Sequence, residues 1–467
     1  MSPEALNPKK VRAPLLPLLF ALFIAGPAAA ADLMSAEKAY GARDYDAAFK
    51  AFHELAELGQ PTAQFNLAVM YARGEGTRPS DIYAFAWASL AAKNGVEKAK
   101  AIMDDIRPKL APGSEQVAMD IEAQYGNAVL DQHLFPKLAS ESTDLSERAR
   151  CHAVSPYFPA YPANAERKGV QGDVYLEFAV PPDGRPRNPH IIYAVPSGEF
   201  DGAARTGVLR SEFPTAPPGS KTVECTTFYR FIMRDFRPVT YPELDRLVQK
   251  TLEKAEAGDP SAQTLYGMLL VGLPQLNKPR SQGLPWFLKA AQAGVPLAQF
   301  QVGFSLLKGW GCDCEENKGL DWLRRAAQAG QPDAEVTLAM YALHGTPDES
   351  GVKQARLWLE QAAASGNRDG KLYLAALLAA APDSQARDPK RALALVEEVF
   401  RGVDDDPTAF EIRAAAEASS GQFKEAIKSE TKAVSMATRL KWDLAPLNDR
   451  LAHYTANQPW YGALVDF

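Results

Sequence analysis

The sequence predicts a mainly α fold, in which an α-solenoid of helix-pair repeats forms two blocks and a small α+β domain lies between the blocks. The first observation is a glycine that recurs every 36 residues, at Gly258, Gly294, Gly330, Gly366 and Gly402, and again from Gly59 to Gly95. A period of this length indicates stacked repeats. The second observation is the alternation of apolar and polar residues over 172–180, which is typical of a half-buried strand.

Each repeat has further residues at fixed distances from its glycine, and together they predict two antiparallel helices. In the repeat that begins at Gly294, these residues are Ala298-Gln299, Trp322 and Ala326-Ala327. Apolar side chains at three-to-four spacing give each helix one apolar stripe. The glycine suits a helix end, and a proline two residues later suits the first turn of the next helix. One helix pair cannot bury its own apolar face, so the pairs must stack.

This pattern resembles the Sel-one-like repeat, a relative of the tetratricopeptide repeat. The residues that support the resemblance are the glycine, the Ala-Gln pair, a Gly-x-Gly loop such as Gly309-Trp310-Gly311, the tryptophan and the Ala-Ala pair. They recur over 51–95 and 258–366, and more weakly over 366–402, where Gly370-Lys371 replaces Ala-Gln. The resemblance implies a right-handed α-solenoid used for protein–protein contacts. We expect the repeated Trp and Tyr residues in the core; the alternative is that they line a binding groove.

The N-terminal residues 1–31 have the pattern of a secretory signal peptide. Three basic residues within 9–12 precede an apolar run at 15–26 and four alanines at 28–31. We expect cleavage after Ala30 or Ala31, which would make the mature protein periplasmic. The alternative is an uncleaved anchor in the inner membrane, but the apolar run is short and is flanked and interrupted by prolines.

The charge of the chain argues against general nucleic-acid binding. The formal net charge is −6, and it becomes −8 without residues 1–31, which hold three basic residues and one acidic residue. A mildly acidic protein lacks the basic surface that phosphate backbones require.

Four cysteines in an exported chain raise the question of disulfides. The simplest pair is Cys151 with Cys225, which would close a loop of about 75 residues and contribute about 4 kcal/mol in the chain-entropy model. Cys312 and Cys314 share one loop, where they either form a small strained disulfide or stay reduced. With no histidine nearby, two cysteines do not make a four-ligand metal site.

The N-terminal helical repeat block is predicted over 32–138. A helical hairpin at 32–58 precedes one full repeat at 59–95, and two further helices are predicted at 97–107 and 114–130.

The middle region, 150–238, is predicted as an α+β domain. Period-two runs predict strands at 172–180, around Ile191-Ile192-Tyr193 and over 222–233, and a helical stripe predicts a helix at 200–211, so the order is strand, strand, helix, strand. Turn residues at Asp183-Gly184 separate the first two strands.

This region resembles the C-terminal domain of TonB-family proteins. The matching segments are Pro159-Ala160-Tyr161-Pro162-Ala163-Asn164-Ala165, Gly169-Val170-Gln171-Gly172-Asp173-Val174, Asp183-Gly184, Phe200-Asp201-Gly202-Ala203-Ala204 and Phe213-Pro214. In energy transducers such a domain captures a short transporter segment by adding it to a sheet edge. A resemblance to transducers would also imply a membrane anchor and a long proline-rich spacer. Neither is evident in this sequence, and repeats flank the domain on both sides.

The rest of the chain is predicted as a Sel-one-like repeat array over 241–402 and a tetratricopeptide-like hairpin with a C-terminal cap over 403–467. The acidic cluster Asp404-Asp405-Asp406 before Pro407 could hold a cation, but we expect it to cap the start of a helix.

The sequence contains no recognisable catalytic, metal-binding or cofactor-binding motif: the six histidines are scattered, and no nucleophile elbow or phosphate-binding loop is present. It therefore predicts an exported, non-enzymatic scaffold or adaptor whose partners are proteins of the cell envelope. It predicts neither nucleic acid nor a small-molecule cofactor as a ligand, and membrane contact only if the N-terminal segment is retained. One alternative is a TonB-family transducer that contacts outer-membrane transporters; another is a cell-envelope enzyme, such as a peptidoglycan hydrolase.

Overall fold

A computed structural model describes residues 31–138, 152–168, 170, 172–196, 198–217, 220, 222–232, 241–272, 280–344, 348–400 and 406–464. The first part is all helical. Its helices are α1 (Leu33–Gly41), α2 (Tyr45–Ala56), α3 (Pro61–Arg73), α4 (Asp81–Lys93), α5 (Ala99–Ile106), α6 (Ser114–Tyr125) and α7 (Asn127–His133). We call these helices the N-terminal block. The helix predicted over 114–130 is interrupted, because Gly126 is extended and separates α6 from α7.

The next part, called the sheet domain here, comprises the described residues between 152 and 232. Its elements are α8 (Ala163–Lys168), β1 (Gly172–Val180), β2 (Arg187–Val195), α9 (Asp201–Leu209) and β3 (Val223–Phe231). The strands form one antiparallel sheet in the order β2-β1-β3. The predicted order of strand, strand, helix and strand is confirmed, while the short helix α8 was not predicted.

The remaining helices form the second repeat block and the C-terminal hairpin. They are α10 (Tyr241–Glu256), α11 (Pro260–Gly272), α12 (Leu284–Gln292), α13 (Pro296–Lys308), α14 (Glu316–Gln328), α15 (Pro332–Leu343), α16 (Glu349–Ala364), α17 (Arg368–Ala380), α18 (Pro389–Val399), α19 (Pro407–Ser419), α20 (Phe423–Arg439) and α21 (Ala445–Thr455). Consecutive helices pack as antiparallel pairs and neighbouring pairs stack, as the repeat pattern predicts. None of the described helices is both long and apolar enough to cross a bilayer.

The repeat residues take the positions that their chemistry favours. Gly294 lies between α12 and α13 with φ of +86°, a left-handed conformation that glycine adopts without strain. Pro296 then occupies the first turn of α13, where a missing N–H costs no hydrogen bond. Asp406 accepts a hydrogen bond from the Thr408 N–H at 3.0 Å, which confirms the helix-cap interpretation for this residue. Asp404 and Asp405 lie outside the described residues.

The tryptophans of two repeats belong to the core. Trp87 and Trp322 are fully buried, so the core interpretation is confirmed for both. The Nε1–H of Trp322 also donates to the carbonyl of Leu134 at 2.8 Å, which links α14 to the end of the N-terminal block. A second link is the Leu33 N–H, which donates to Ala293 O at 3.0 Å.

A single cluster of buried side chains therefore spans the N-terminal block and helices α12–α14. The two repeat regions are joined in space although the sheet domain separates them in sequence.

Candidate functional site

The sheet domain is covered on both faces. One face of β1 packs against α9, where Leu176 and Phe178 meet Phe200 and Val208 in one buried cluster. The other face packs against the repeat helices.

Tyr175 makes the central contact on that second face. It is buried against Phe300 and Phe304 of α13, and its ring centroid lies 5.6 Å from that of Trp310. Beside it, Lys308 Nζ lies 2.9 Å from Glu177 Oε1. The sheet is therefore held between its own helix and the repeat array.

A buried charge cluster fastens β2 to helix α17. His190 Nδ1 and Arg205 Nη2 both lie 3.0 Å from Asp369 Oδ2. Burial alone would raise the pKa of Asp369, but the surrounding cations outweigh burial and hold that pKa well below its usual value. Burial would lower the pKa of His190, yet the hydrogen bond and charge of Asp369 outweigh it and raise that pKa. The cluster is an ionic contact between the sheet domain and the second repeat block.

β3 forms the second edge of the sheet, since among the described residues β3, like β2, pairs with β1 and with no other strand. A cavity of about 1140 Å³ opens along this edge, between β3, the end of α9 and residues 152–161. Most of its lining is aromatic, apolar or uncharged. The aromatic residues are Tyr157, Phe158, Tyr161, Phe213, Phe228, Tyr229 and Phe231. We call this cavity the edge groove.

Exposed apolar side chains mark the mouth of the edge groove. Phe158 is 80% exposed and Ile232 is 64% exposed, so both present apolar surface to the solvent beside the cavity. Deeper in the groove, the Tyr229 hydroxyl donates to Tyr157 O at 3.4 Å, and burial raises the pKa of Tyr229. Its phenol therefore stays neutral and can donate hydrogen bonds at physiological pH.

The wall formed by residues 152–161 is fixed to the rest of the domain. The Val154 N–H donates to Glu212 O at 2.8 Å, and Glu212 N–H donates back to Ser155 O at 3.0 Å. Arg210 donates to the Tyr157 hydroxyl at 3.0 Å and lies over its ring. The groove is thus a preformed feature with one side made of strand and the other of a tethered extended segment.

The predicted site residues are not brought into one place. Cys225 is buried in β3, while Cys151 lies outside the described residues, so their pairing stays a prediction. Cys312 is buried and Cys314 is exposed, and the two are not bridged in this structure. Ala31 lies against Gly294, and Ala30 is outside the described residues. The described residues hold no group of three or more His, Cys, Asp or Glu side chains that could bind a metal.

Two features of the site were missed from the sequence. The first is the cluster at Asp369, whose partners His190 and Arg205 are far away in the chain. A signal was present, because Asp333 and Asp369 stand at the same position of consecutive repeats, three residues after Gly330 and Gly366. The second is the edge groove, whose aromatic wall comes from the proline-rich segment around residues 156–162.

Family comparisons agree with both parts of the fold. Residues 158–233 match the model of the Gram-negative bacterial TonB protein C-terminal. Four segments match the Sel1 repeat, at 61–96, 260–295, 296–331 and 332–367.

The curated relatives are similar to this chain over a short stretch. Protein TonB of Escherichia coli (strain K12) is 35% identical over 71 residues, which is 15% of this chain and 30% of that protein. Protein TonB of Klebsiella pneumoniae is 34% identical over 68 residues, which is 15% of this chain and 28% of that protein. The chain thus spans less than a third of the length of either relative.

Similar solved structures include two repeat proteins. One is a Sel1 repeat protein from Oxalobacter formigenes, with a TM-score of 0.30, 15% identity and coverage of 79% of this chain and 98% of that chain. The other is a protective antigen of uropathogenic Escherichia coli strains with an SLR fold, with a TM-score of 0.29, 16% identity and coverage of 88% and 78%. From the stacked helix pairs and the family matches, we conclude that this chain contains four Sel1 repeats and, between the first repeat and the other three, a domain that matches the TonB C-terminal model.

Proposed function

We propose that this protein is a non-enzymatic scaffold or adaptor of the bacterial cell envelope, exported to the periplasm, and that the β3 edge binds an extended segment of a protein partner. The observation that supports this most is the difference between the surfaces of the sheet. Both faces are packed, and β2 is bonded to α17, but β3 opens on the aromatic edge groove.

The physical argument concerns free strand edges. An unpaired edge presents backbone N–H and C=O groups, and proteins usually protect such edges against unwanted pairing. An edge that instead borders a preformed groove suits strand addition, in which backbone bonds give affinity and side-chain pockets give specificity. The exposed Phe158 and Ile232 would contact apolar side chains of the added segment.

The role of the repeats follows from the same packing. Sel1 repeats are typical of protein–protein interaction scaffolds, and here helices α13 and α14 are partly occupied by the sheet domain. We assign the repeats the task of holding the sheet domain in a fixed orientation and of offering the remaining helical surface to further protein partners. We keep the division of the chain that the sequence predicts. Its segments are the signal peptide (1–31), the N-terminal helical repeat block (32–138), the α+β domain (150–238), the repeat array (241–402) and the C-terminal hairpin with its cap (403–467).

Photocrosslinking tests this proposal. A benzophenone amino acid at position 158 is expected to crosslink envelope proteins of the parent cell through extended segments, which mass spectrometry of the adducts identifies. The same amino acid at Leu357, which is exposed on α16 and outside the edge groove, is the control. Capture of the same partner segments equally at both positions, or adducts at position 158 that map only to folded helical surfaces, would count against strand addition.

A pair of proline variants sharpens the test. Neighbouring residues of a strand direct their N–H groups to opposite edges, so Thr226→Pro and Thr227→Pro remove one N–H toward β1 and one toward the groove. We expect the variant that loses the outward N–H to stay folded and lose crosslinking at position 158. If the folded proline variant crosslinks like the parent protein, backbone pairing at β3 is not the mode of binding.

A second function, contact with outer-membrane transporters in the manner of an energy transducer, is favoured by the similarity of the sheet domain to Protein TonB. N-terminal sequencing of the protein from cell fractions separates the two. A mature N-terminus next to Ala30 or Ala31 in the periplasmic fraction supports the exported adaptor. A retained N-terminus in the inner-membrane fraction supports the transducer.

A further inference from the structure

One position of the repeat contains a buried side chain with the same hydrogen bond in three repeats. This position is the second residue of the Ala-Gln pair, and its amide donates to the main-chain carbonyl eight residues earlier. The three bonds run from Gln64 Nε2 to Ala56 O at 3.3 Å, from Gln263 Nε2 to Ala255 O at 3.1 Å and from Gln299 Nε2 to Ala291 O at 3.2 Å. The bond ties the start of one repeat to the end of the preceding helix.

The fourth repeat has Glu335 at this position. Its backbone is placed as in the other repeats, since its N–H donates to Gln331 O just as the Gln299 N–H donates to Val295 O. The side chain is 2% exposed, and its Oε2 has no hydrogen-bond partner. The equivalent carbonyl is that of Ala327. An ionised carboxylate has no proton to donate to this oxygen, whereas a protonated carboxyl group has one O–H donor.

The surroundings favour the protonated form. Burial, and next the negative charge of Asp333, raise the pKa of Glu335 to about 7. The other charged groups nearby do not interact with Glu335. Asp369 and His190 shift the pKa of Asp333, and the pKa of Arg325 of α14 is affected by acidic residues other than Glu335. On α16, Arg356 pairs with Glu360. Among the described residues, no cation therefore compensates a charge on Glu335.

We propose that Glu335 is protonated in the folded protein and donates its O–H to Ala327 O, which makes the joint between α14 and α15 a pH-sensitive contact. The hydrogen bond to Ala327 O forms when the Glu335 carboxyl group is neutral and is lost when the group ionises. Because the folded chain binds this proton more tightly than the unfolded chain, stability is greatest in mild acid and falls as the pH rises from the ordinary range of a glutamate through the folded value.

The position of this joint gives it a consequence for the sheet domain. Asp333, two residues from Glu335, accepts a hydrogen bond from Asn367 Nδ2 at 3.1 Å, and Asn367 caps α17. Helix α17 holds Asp369, to which the sheet domain is bonded. Ionisation of Glu335 would therefore weaken the support of the helix on which the sheet domain docks.

Two variants test the proposal. Glu335→Gln supplies the amide that the other repeats use, and Gln299→Glu transfers the carboxyl group to the neighbouring repeat. Thermal unfolding of the whole chain is measured at about pH 5.5 and about pH 8.5. We expect Glu335→Gln to melt about 2–4 °C above the parent protein at the higher pH and close to it at the lower pH. We expect Gln299→Glu to show a larger fall between the two conditions than the parent.

The proposal is wrong if Glu335→Gln shows the same fall in Tm between the two conditions as the parent protein. It is also wrong if Glu335→Gln does not fold, because position 335 then cannot hold the amide that makes this bond in three other repeats. A Gln299→Glu variant with no added pH dependence would show that the position itself does not couple a proton to the joint.

Discussion

His190 Nδ1 of strand β2 lies 3.0 Å from Asp369 Oδ2 of helix α17, although 179 residues separate them in the chain. Both residues are 4% exposed. Arg205 of α9 reaches the same carboxylate oxygen, so the strand and the helix of the sheet domain meet one acidic group of the repeats. This arrangement fixes which edge of the sheet faces the solenoid and leaves β3 on the other side.

The first prediction concerns removal of that carboxylate. Asp369→Ala leaves the buried His190 and the partly buried Arg205 without their charged partner, so we expect a loss of about 3–5 kcal/mol in the free energy of unfolding, measured by urea titration. Glu360→Ala is the matched control, because it removes half-exposed ion pairs with Arg356 and Arg391 and is expected to cost about 1 kcal/mol or less. Equal losses in the two variants would show that the buried cluster does not dock the sheet domain.

The second prediction is the protonation of His190. Because Asp369 raises its pKa in the folded protein, the docking contribution is fully present below the ordinary histidine range and is lost as the pH rises through the folded pKa. Nitrogen NMR of the six histidines, with His190→Gln to assign the signal, is expected to show a midpoint above about 6.5. A midpoint below that value would mean that burial outweighs the carboxylate.

The third prediction compares two glycines of the repeat. Gly294 and Gly330 both have positive φ, but a methyl group on Gly294 would meet Ala31 O and lie 2.9 Å from Asp32 Cα, whereas one on Gly330 would meet nothing within 4 Å. Gly330→Ala is therefore expected to cost about 1–2 kcal/mol from backbone strain alone. Gly294→Ala should cost about 1–3 kcal/mol more, from overpacking at the contact with the N-terminal block. Equal unfolding free energies in urea would contradict that contact.

The fourth prediction counts thiols. Cys314 is exposed and is expected to react with a maleimide in the native protein, while Cys312 is buried and burial raises its pKa to about 12, so it should react only after unfolding. With Cys151 and Cys225 joined, unfolded unreduced protein should show two reactive thiols and reduced protein four. Four thiols before reduction would rule out the predicted pair.

The repeats could be predicted because their signals are local. The glycine at a helix end, the proline two residues later and the alternating residues of β1 each depend on backbone preferences that neighbours in the sequence decide. The burial of Trp322 followed for the same reason, since equivalent positions of stacked repeats face the same core.

The docking of the sheet domain could not be predicted in this way. The bond between His190 and Asp369 depends on how two separately predicted units meet, and the repeated position of Asp333 and Asp369 does not identify a partner in the sheet domain. The break at the extended Gly126 was also missed, because the apolar pattern continues across it. For the edge groove, the resemblance indicated strand addition, but which of the two edge strands borders a groove followed only from the structure.

Hydrogen exchange of β3 tests the central claim most directly. A synthetic peptide of the partner segment found by crosslinking at position 158 is added to the whole protein, and backbone amide exchange is followed by mass spectrometry with residue-level fragmentation. The account predicts that amides at alternate positions of Val223–Phe231, those directed away from β1, become protected while β2 is unchanged. Protection confined to the repeat helices, with β3 exchanging as in the free protein, would contradict it.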